Sequence, residues 1–470
     1  MLQHVRQLQT IADRNGGNRA SGLPGYDAPS AYVAKTLRAA GYTVRKQTFT
    51  FPFFAENRPA TLTQLTPEQQ TLETAVFTHS GSGSVTGSVV PTNDLVIPAT
   101  PAPSSTSGCE AADVAPAPAE PAIALVQRGT CDFGVKAANA KAAGYDAAII
   151  FNEGNPDRTE LTAGTLGTPV DIPVVGLSYA DAVALVEDVR AGGATARVTT
   201  DTVTDLERET HNLIADWPGR TRNDDQVVVV GAHLDSVPEG PGINDNGTGV
   251  AGILEIAEQM AATGYTKKLQ RPVRFAFWGA EELGLVGSPY YVDTLSDANR
   301  AKLYANLNFD MLGSPNFARL VDDGDGSAFG AAGPAGSAQI EKVFTDSFDA
   351  SGLETDPTAF DGRSDYGPFI QYGIPAGGLV SGADDVKTPE QAAIYGGTAG
   401  ETLDPNHHTA EDDITNVDPT VLGQLGDGAA HAVATLTLSR TGLYGDGAKA
   451  KVRGSATKAP AVTKRPHAQR

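Results

Sequence analysis

Residues Val227 to Met260, VVVVGAHLDSVPEGPGINDNGTGVAGILEIAEQM, constrain this chain more than any other stretch. Four consecutive valines, Val227 to Val230, favour a buried strand. His233 and Asp235 follow two positions apart, so in extended backbone their side chains point the same way. A Gly- and Pro-rich turn leads to Asp245. From Thr248 the apolar residues Val250, Ile253, Leu254, Ala257 and Met260 recur at helical spacing. Strand, loop and helix in that order make the unit of an open α/β sheet, whose sites form at the carboxyl ends of strands. One His and two Asp collected there have the chemistry of part of a metal site.

The same alternation continues on either side. From about residue 202, the segments HNLIADW, VVVVGAH, RFAFWGA, YANLNFD and IPAGGLV each read as a strand followed by a loop or helix. That pattern predicts a mixed, mostly parallel central sheet with helices on both faces. At the start of the chain, Val5, Leu8 and Ile11 mark a helix. A turn, GGNRASGLPG, follows, then a second helix over about 28–40 and a strand, VRKQTFTFPF. These are too few for a domain of their own and should pack on something downstream. Between about 58 and 200 the composition shifts to Thr, Ser, Gly, Ala and Pro. Short strands there, with helices over 135–143 and in YADAVALVEDVRAGG, predict a small α/β or mostly-β module. The expected organisation is 1–57 and 201–445 as one α/β domain, 58–200 inserted into it, and 446–470 as a tail. From Gly447 onward the tail holds seven Lys or Arg and no acid, and is expected to be disordered.

Composition excludes some partners. A net charge of −21 over 470 residues argues against nucleic acid, which demands a basic face. No apolar run approaches the ~20 residues that cross a bilayer, so no membrane partner is expected. The two cysteines, Cys109 and Cys131, are too few for a zinc site by themselves and leave a free pair or one disulfide. The start, MLQHVRQLQT, is no signal peptide. The chain is therefore either cytoplasmic or begins at a processed end.

Three more strand ends carry chemistry. Glu281 and Glu282 follow RFAFWGA, Asp310 ends YANLNFD, and His407 and His408 sit in DPNHHTAEDDI before a final helix over about 421–438. Two metals, each held by one His and one carboxylate and sharing another carboxylate, would use five such groups. The sixth, one of the two adjacent Glu, would be left to act as a base.

The motifs AHLDSVPEGPGINDNGTG, WGAEELGLVGS, NLNFDMLGS, GRSDYGPF and HHTAED together resemble the co-catalytic zinc aminopeptidases. That family includes aminopeptidase Y and the secreted bacterial leucine-type enzymes often called aminopeptidase S. The resemblance implies a zinc-peptidase fold and two Zn2+ ions. One would be held by His233 and Asp310, the other by Glu282 and His408, with Asp245 between them. It further implies Glu281 as general base and Asp235 as the residue orienting His233. Arg363 would lie near the substrate's amino end, and Met311 is a candidate wall for a large apolar side chain such as Leu. In several relatives a Tyr that stabilises the oxyanion precedes the last ligand His. Here that position is His407, which is expected to donate an N–H instead. Substrates would be peptides or proteins with a free N-terminus, and a monomer is expected. Carboxypeptidases, glutaminyl cyclases and non-catalytic receptor-like proteins share the scaffold. A cyclase needs one zinc and the receptors lose ligands, whereas the full set stands here.

The middle segment, from CEAADVAPAPAEP to GYDAAIIFN, resembles the protease-associated (PA) domain often inserted in this family. The resemblance implies a Cys109–Cys131 disulfide. Closing a loop of roughly 20 residues contributes about 3 kcal/mol in the chain-entropy account. It also implies a secreted protein whose signal peptide has been removed. So acidic a surface leaves room for a structural Ca2+, although no EF-hand-like ligand run is present.

Overall fold

A computed structural model describes residues 1–441 and 443. The tail read as 446–470 lies outside the described residues. The chain divides into two compact units, one comprising Met1–Phe51 with the chain from Glu209 onward, the other Pro52–Arg208. The divisions at 51/52 and 208/209 fall within the long strands Thr43–Thr66 and Thr195–Asp216, where sequence reading put breaks at 57/58 and 200/201.

In the first unit the sheet runs Asp356–Thr358, Leu320–Asp322, Ala376–Val380, Leu303–Phe309, Val227–His233, Val273–Trp278 and the end of Thr195–Asp216. Its centre is parallel. Antiparallel pairing occurs between Leu320–Asp322 and Ala376–Val380, and between Val273–Trp278 and Leu213–Asp216. The valine run explains itself here. Val228 and Val230 enter one core with the helices Gly249–Ala262 and Pro419–Leu438, while Val227 and Val229 enter a second core on the other face with Tyr291 and Phe369. Parallel register sets His233 opposite Trp278, Asn308 opposite Gly231 and Phe309 opposite Leu379. The carboxyl ends of four strands therefore finish at one edge, and the residues just past them share it.

The second unit pairs Gly83–Pro91 in parallel with Ala122–Gln127, which continues in parallel to Ala147–Phe151 and Val174–Leu177. Gly83–Ser88 also pairs antiparallel with Thr195–Thr200. The helices Phe133–Ala142 and Tyr179–Gly192 each help to close one of two small cores. Cys109 and Cys131 form a disulfide across 22 positions.

Several boundaries differ from the sequence reading. The second helix begins at Pro24, inside the segment read as a turn, because Pro at the first helical position loses no hydrogen bond and has the right φ. The first long strand runs on to Thr66. Pro52, inside the segment read as a strand, and Pro59, beyond it, both occupy exposed positions in it. Thr195–Asp216 is one strand, where the sequence reading put a module boundary at 200/201 and a strand only at HNLIADW.

Candidate metal centre

His233 ends its strand, and the loop after it is held by a buried cation. Arg19, fully buried, donates from Nε to the Pro241 carbonyl at 2.9 Å and from its Nη atoms to the carbonyls of Leu234 and Gly242. Gly242 is at φ 58°, and a Cβ there would lie 2.2 Å from the Asp245 carbonyl and 2.5 Å from Ser236. Only glycine fits. The next residues are anchored by Asp412, whose carboxylate accepts the backbone N–H of Asn244 at 2.8 Å and of Asp245 at 3.0 Å. The Asp245 side chain is thereby left free to face the sheet edge.

There it meets three histidines. Asp245 Oδ1 lies 3.1 Å from His233 Nε2, and Oδ2 lies 3.1 Å from both His407 Nε2 and His408 Nε2. His233 Nε2 is also 3.1 Å from Asp310 Oδ1, and His408 Nε2 is 3.1 Å from Glu282 Oε2. Asp310 Oδ2 accepts a hydrogen bond from Ser364 at 2.6 Å. His233 Nδ1 lies 3.2 Å from the Asp235 carbonyl oxygen and 3.8 Å from its Oδ1, and that same Oδ1 accepts the Glu281 N–H at 3.2 Å. Glu281 is buried beside this group, and its charge, after burial, helps hold the Asp365 carboxyl well above the usual range.

Two overlapping donor groups result, His233–Asp245–Asp310 and Asp245–His407–His408, with Asp245 in both. Ligands about 2.0–2.1 Å from a tetrahedral zinc stand about 3.3 Å from one another, close to the separations found here. Glu282 Oε1 is buried without a hydrogen-bond partner, which a cation would relieve. Charge points the same way. Burial and the Asp245 charge push Glu282 up to about 8. Burial opposes charge on His408 and His407, but their bonds to Asp245, with Glu282 and Asp384 respectively, outweigh it and lift them to about 10 and about 11. Lone pairs that converge so tightly on protons are those from which a divalent ion displaces them. The donor set fits zinc.

All of the residues expected as ligands, His233, Asp245, Glu282, Asp310 and His408, therefore meet at one edge with Asp235 and Glu281 beside them. His407 meets them too, its ring tilted by 34° against that of His408 with centroids 3.8 Å apart and its Nδ1 2.9 Å from Asp384. Two expected substrate residues are placed differently. Arg363 is exposed, and its side chain makes no hydrogen bond or ion pair among the described residues. Met311 is buried, and its backbone, at φ 52°, binds Asn246 Oδ1 and Ser381. It backs Asp310 rather than standing open. His408, at φ 60°, is likewise in the left-handed region, where non-glycine residues concentrate at functional sites. Sequence reasoning passed over Arg19, Asp384 and Asp412. Asp412 lies in the same polar run as His407, but nothing local marks Arg19.

A model described as Peptidase family M28 matches residues 212–433, and one for the PA domain matches 85–185. An aminopeptidase of Pseudomonas aeruginosa is 44% identical over 449 residues, covering 93% of this chain and 81% of that protein. Leucine aminopeptidase 2 of Trichophyton equinum is 39% identical over 446 residues, covering 94% and 84%. Among solved structures, BSAP, a zinc aminopeptidase from Bacillus subtilis, aligns with a TM-score of 0.63 at 25% identity over 93% of this chain and 95% of that one. An aminopeptidase from Aneurinibacillus sp. strain AM-1 aligns at 0.63 and 26% identity, over 93% and 94%.

Proposed function

Since the chain belongs to peptidase family M28, carries a PA domain and is by its relatives an aminopeptidase, we propose that it works with two zinc ions, outside the cell and as a monomer, on peptides whose N-terminal residue is large and apolar, such as Leu. The observation that carries the two-ion reading is Asp245, one oxygen of which serves each donor group. His233 and Asp310 would hold one ion, Glu282 and His408 the other. Zinc bound there supplies Lewis acidity toward the scissile carbonyl and lowers the pKa of water.

The chain's own groups do the rest. Glu281 takes a proton from the attacking water and returns it to the leaving amine. Asp235 fixes the ring of His233, whose Nδ1 lies 3.2 Å from the Asp235 carbonyl oxygen and 3.8 Å from its carboxylate. The surplus of buried carboxylates favours a substrate that brings its own positive charge, the free α-ammonium group. The Cys109–Cys131 disulfide supports an oxidising compartment, and the unit that contains it is non-catalytic in this reading. No helix among the described residues is long and apolar enough to cross a membrane.

A leucyl chromogenic amide should be hydrolysed on the order of 10,000-fold faster than its N-acetylated form, because the acetyl group removes the charge the site is built to meet. Equal rates would show that the site does not read the α-ammonium group, and cleavage of neither form would favour a carboxypeptidase on the same scaffold.

His407 has a separate test. Its ring nitrogens face Asp245 and Asp384, at 3.1 and 2.9 Å, and with Asp245 turned to the metal ions its Nε2–H would be released to the carbonyl oxygen on which charge develops. His407→Ala should therefore lower kcat by about 100- to 1,000-fold, as deletion of an oxyanion donor does, with zinc content unchanged. A kcat within about twofold of wild type would show an inert loop residue, and loss of zinc would make His407 a ligand.

A further inference from the structure

Within the second unit, a buried cation lies against the disulfide. Lys136, in the helix Phe133–Ala142, is 0% exposed. Its Nζ donates to the Ser107 carbonyl and lies 3.7 Å from Cys109 Sγ. Burial pulls the amine down to about 8, against the charges of Asp94, Glu153 and Asp113, which leaves it protonated at pH 7. No carboxylate pairs with it among the described residues, and Glu153 is taken by Arg158 at 3.0 Å. An ammonium group has three donors and the Ser107 carbonyl uses one, so the sulfur faces a charge that nothing neutralises.

This contact is built by the fold and not by the S–S bond. Ser107 Oγ accepts the Gln127 N–H at 2.9 Å, and Asn139 Nδ2 donates to the Gly108 carbonyl at 2.9 Å. Gly108, at φ 67°, passes so close that a Cβ would lie 2.8 Å from Val126 Cγ1 and 3.7 Å from Lys136 Cβ. Only glycine turns there. The strand Ala122–Gln127 and the helix Phe133–Ala142 therefore hold the chain just before Cys109 against Lys136. The two sulfurs are not equivalent. Cys131 lies between the exposed Thr130 and Asp132, and Asp132 brings a negative charge. A thiolate at Cys109 would meet a cation, which stabilises it, and one at Cys131 an adjacent acid, which does not.

We propose that the Cys109–Cys131 disulfide is a thiol-exchange site, in which Cys131 takes up a small thiol and Cys109 is released to Lys136. The thiolate of a small thiol attacks Cys131 Sγ, and a mixed disulfide forms as the internal S–S bond breaks. The bonding electron pair leaves on Cys109 Sγ, where a Lys136 N–H receives it. A disulfide opens faster when its leaving thiol is the more acidic, and a stabilised reduced form makes it easier to reduce. A second thiolate then attacks the sulfur of the added thiol and releases Cys131, which takes a proton from water. Two small thiols thereby become one external disulfide, and the protein gains two electrons. Neither sulfur nor Lys136 belongs to the metal centre, so this chemistry is independent of the peptidase reading.

In the test, the whole chain is incubated at pH 7 with reduced glutathione, quenched with iodoacetamide and mapped by peptide mass spectrometry. Glutathione is expected on Cys131 and the alkyl group on Cys109, at least about tenfold more often than the reverse. Lys136→Met, which keeps the length of the buried chain without its charge, should slow the reaction at least about tenfold. Unfolding of that variant would expose the bridge and speed its reduction, so a fall in rate is not a folding defect. In Cys131→Ser, alkylation of Cys109 should have its midpoint below about pH 7.5, against about 8.5 for an ordinary thiol, and adding Lys136→Met should bring it back up. Equal labelling of the two cysteines, an unchanged rate in Lys136→Met, an ordinary midpoint for Cys109, or reduction only after denaturation would each overturn the proposal.

Discussion

Glu281→Gln is expected to keep close to two zinc ions per chain while kcat falls by roughly 100- to 10,000-fold, the range associated with loss of a general base. The substitution is nearly isosteric, and the anchor on Asp235 is made by the Glu281 backbone N–H at 3.2 Å, which Gln retains. Glu281 belongs to neither donor group, so the metal complement should survive. KM should change little, because a proton acceptor acts in the transition state rather than in substrate binding. Zinc by mass spectrometry and steady-state kinetics on the same sample separate the outcomes. A kcat within tenfold of wild type would mean that another group takes the proton. Loss of one zinc would mean that Glu281 is a ligand and that the roles of the adjacent Glu281 and Glu282 are exchanged.

Asp245→Ala should empty the site of both ions after dialysis and abolish activity with the fold intact. Each oxygen of this carboxylate faces a different donor group, so no other single side chain can disable both. The loop should stay in place without the carboxylate, since Asp412 grips the backbone N–H groups of Asn244 and Asp245 rather than the Asp245 side chain. Asp310→Ala and Glu282→Ala provide the contrast, because each should release one ion and leave the other. If Asp245→Ala kept one zinc per chain, the shared-carboxylate arrangement would be wrong.

Much of this was legible before any coordinates. The valine run, the helical spacing after Thr248 and the strand-loop-helix alternation are local periodicities, and these depend on which faces are buried. They led to the mostly parallel sheet and to the strand ends as the place to look. The errors fell where local grammar is ambiguous. Pro24 reads equally as a turn residue or a helix start, and the strand read over VRKQTFTFPF runs on past Pro59, whose exposed position tolerates proline.

The site itself divides along the same line. Its chemistry was readable in residue types and order, since five motifs carry the histidines and carboxylates. Its support was not. Arg19 holds the Leu234 carbonyl across 215 positions of chain, and Asp412 reaches back 167 positions to the Asp245 backbone. No periodicity encodes such pairs, because they arise only when separate elements are packed against one sheet edge. The same holds for Asp323, an acid in a polar loop until folding buries it at 0% exposure with one oxygen unpartnered. The sequence by itself determined which groups can bind metal and which strands present them. Only the tertiary structure decided which of them converge, and which lie so deep that an oxygen is left without a hydrogen-bond partner.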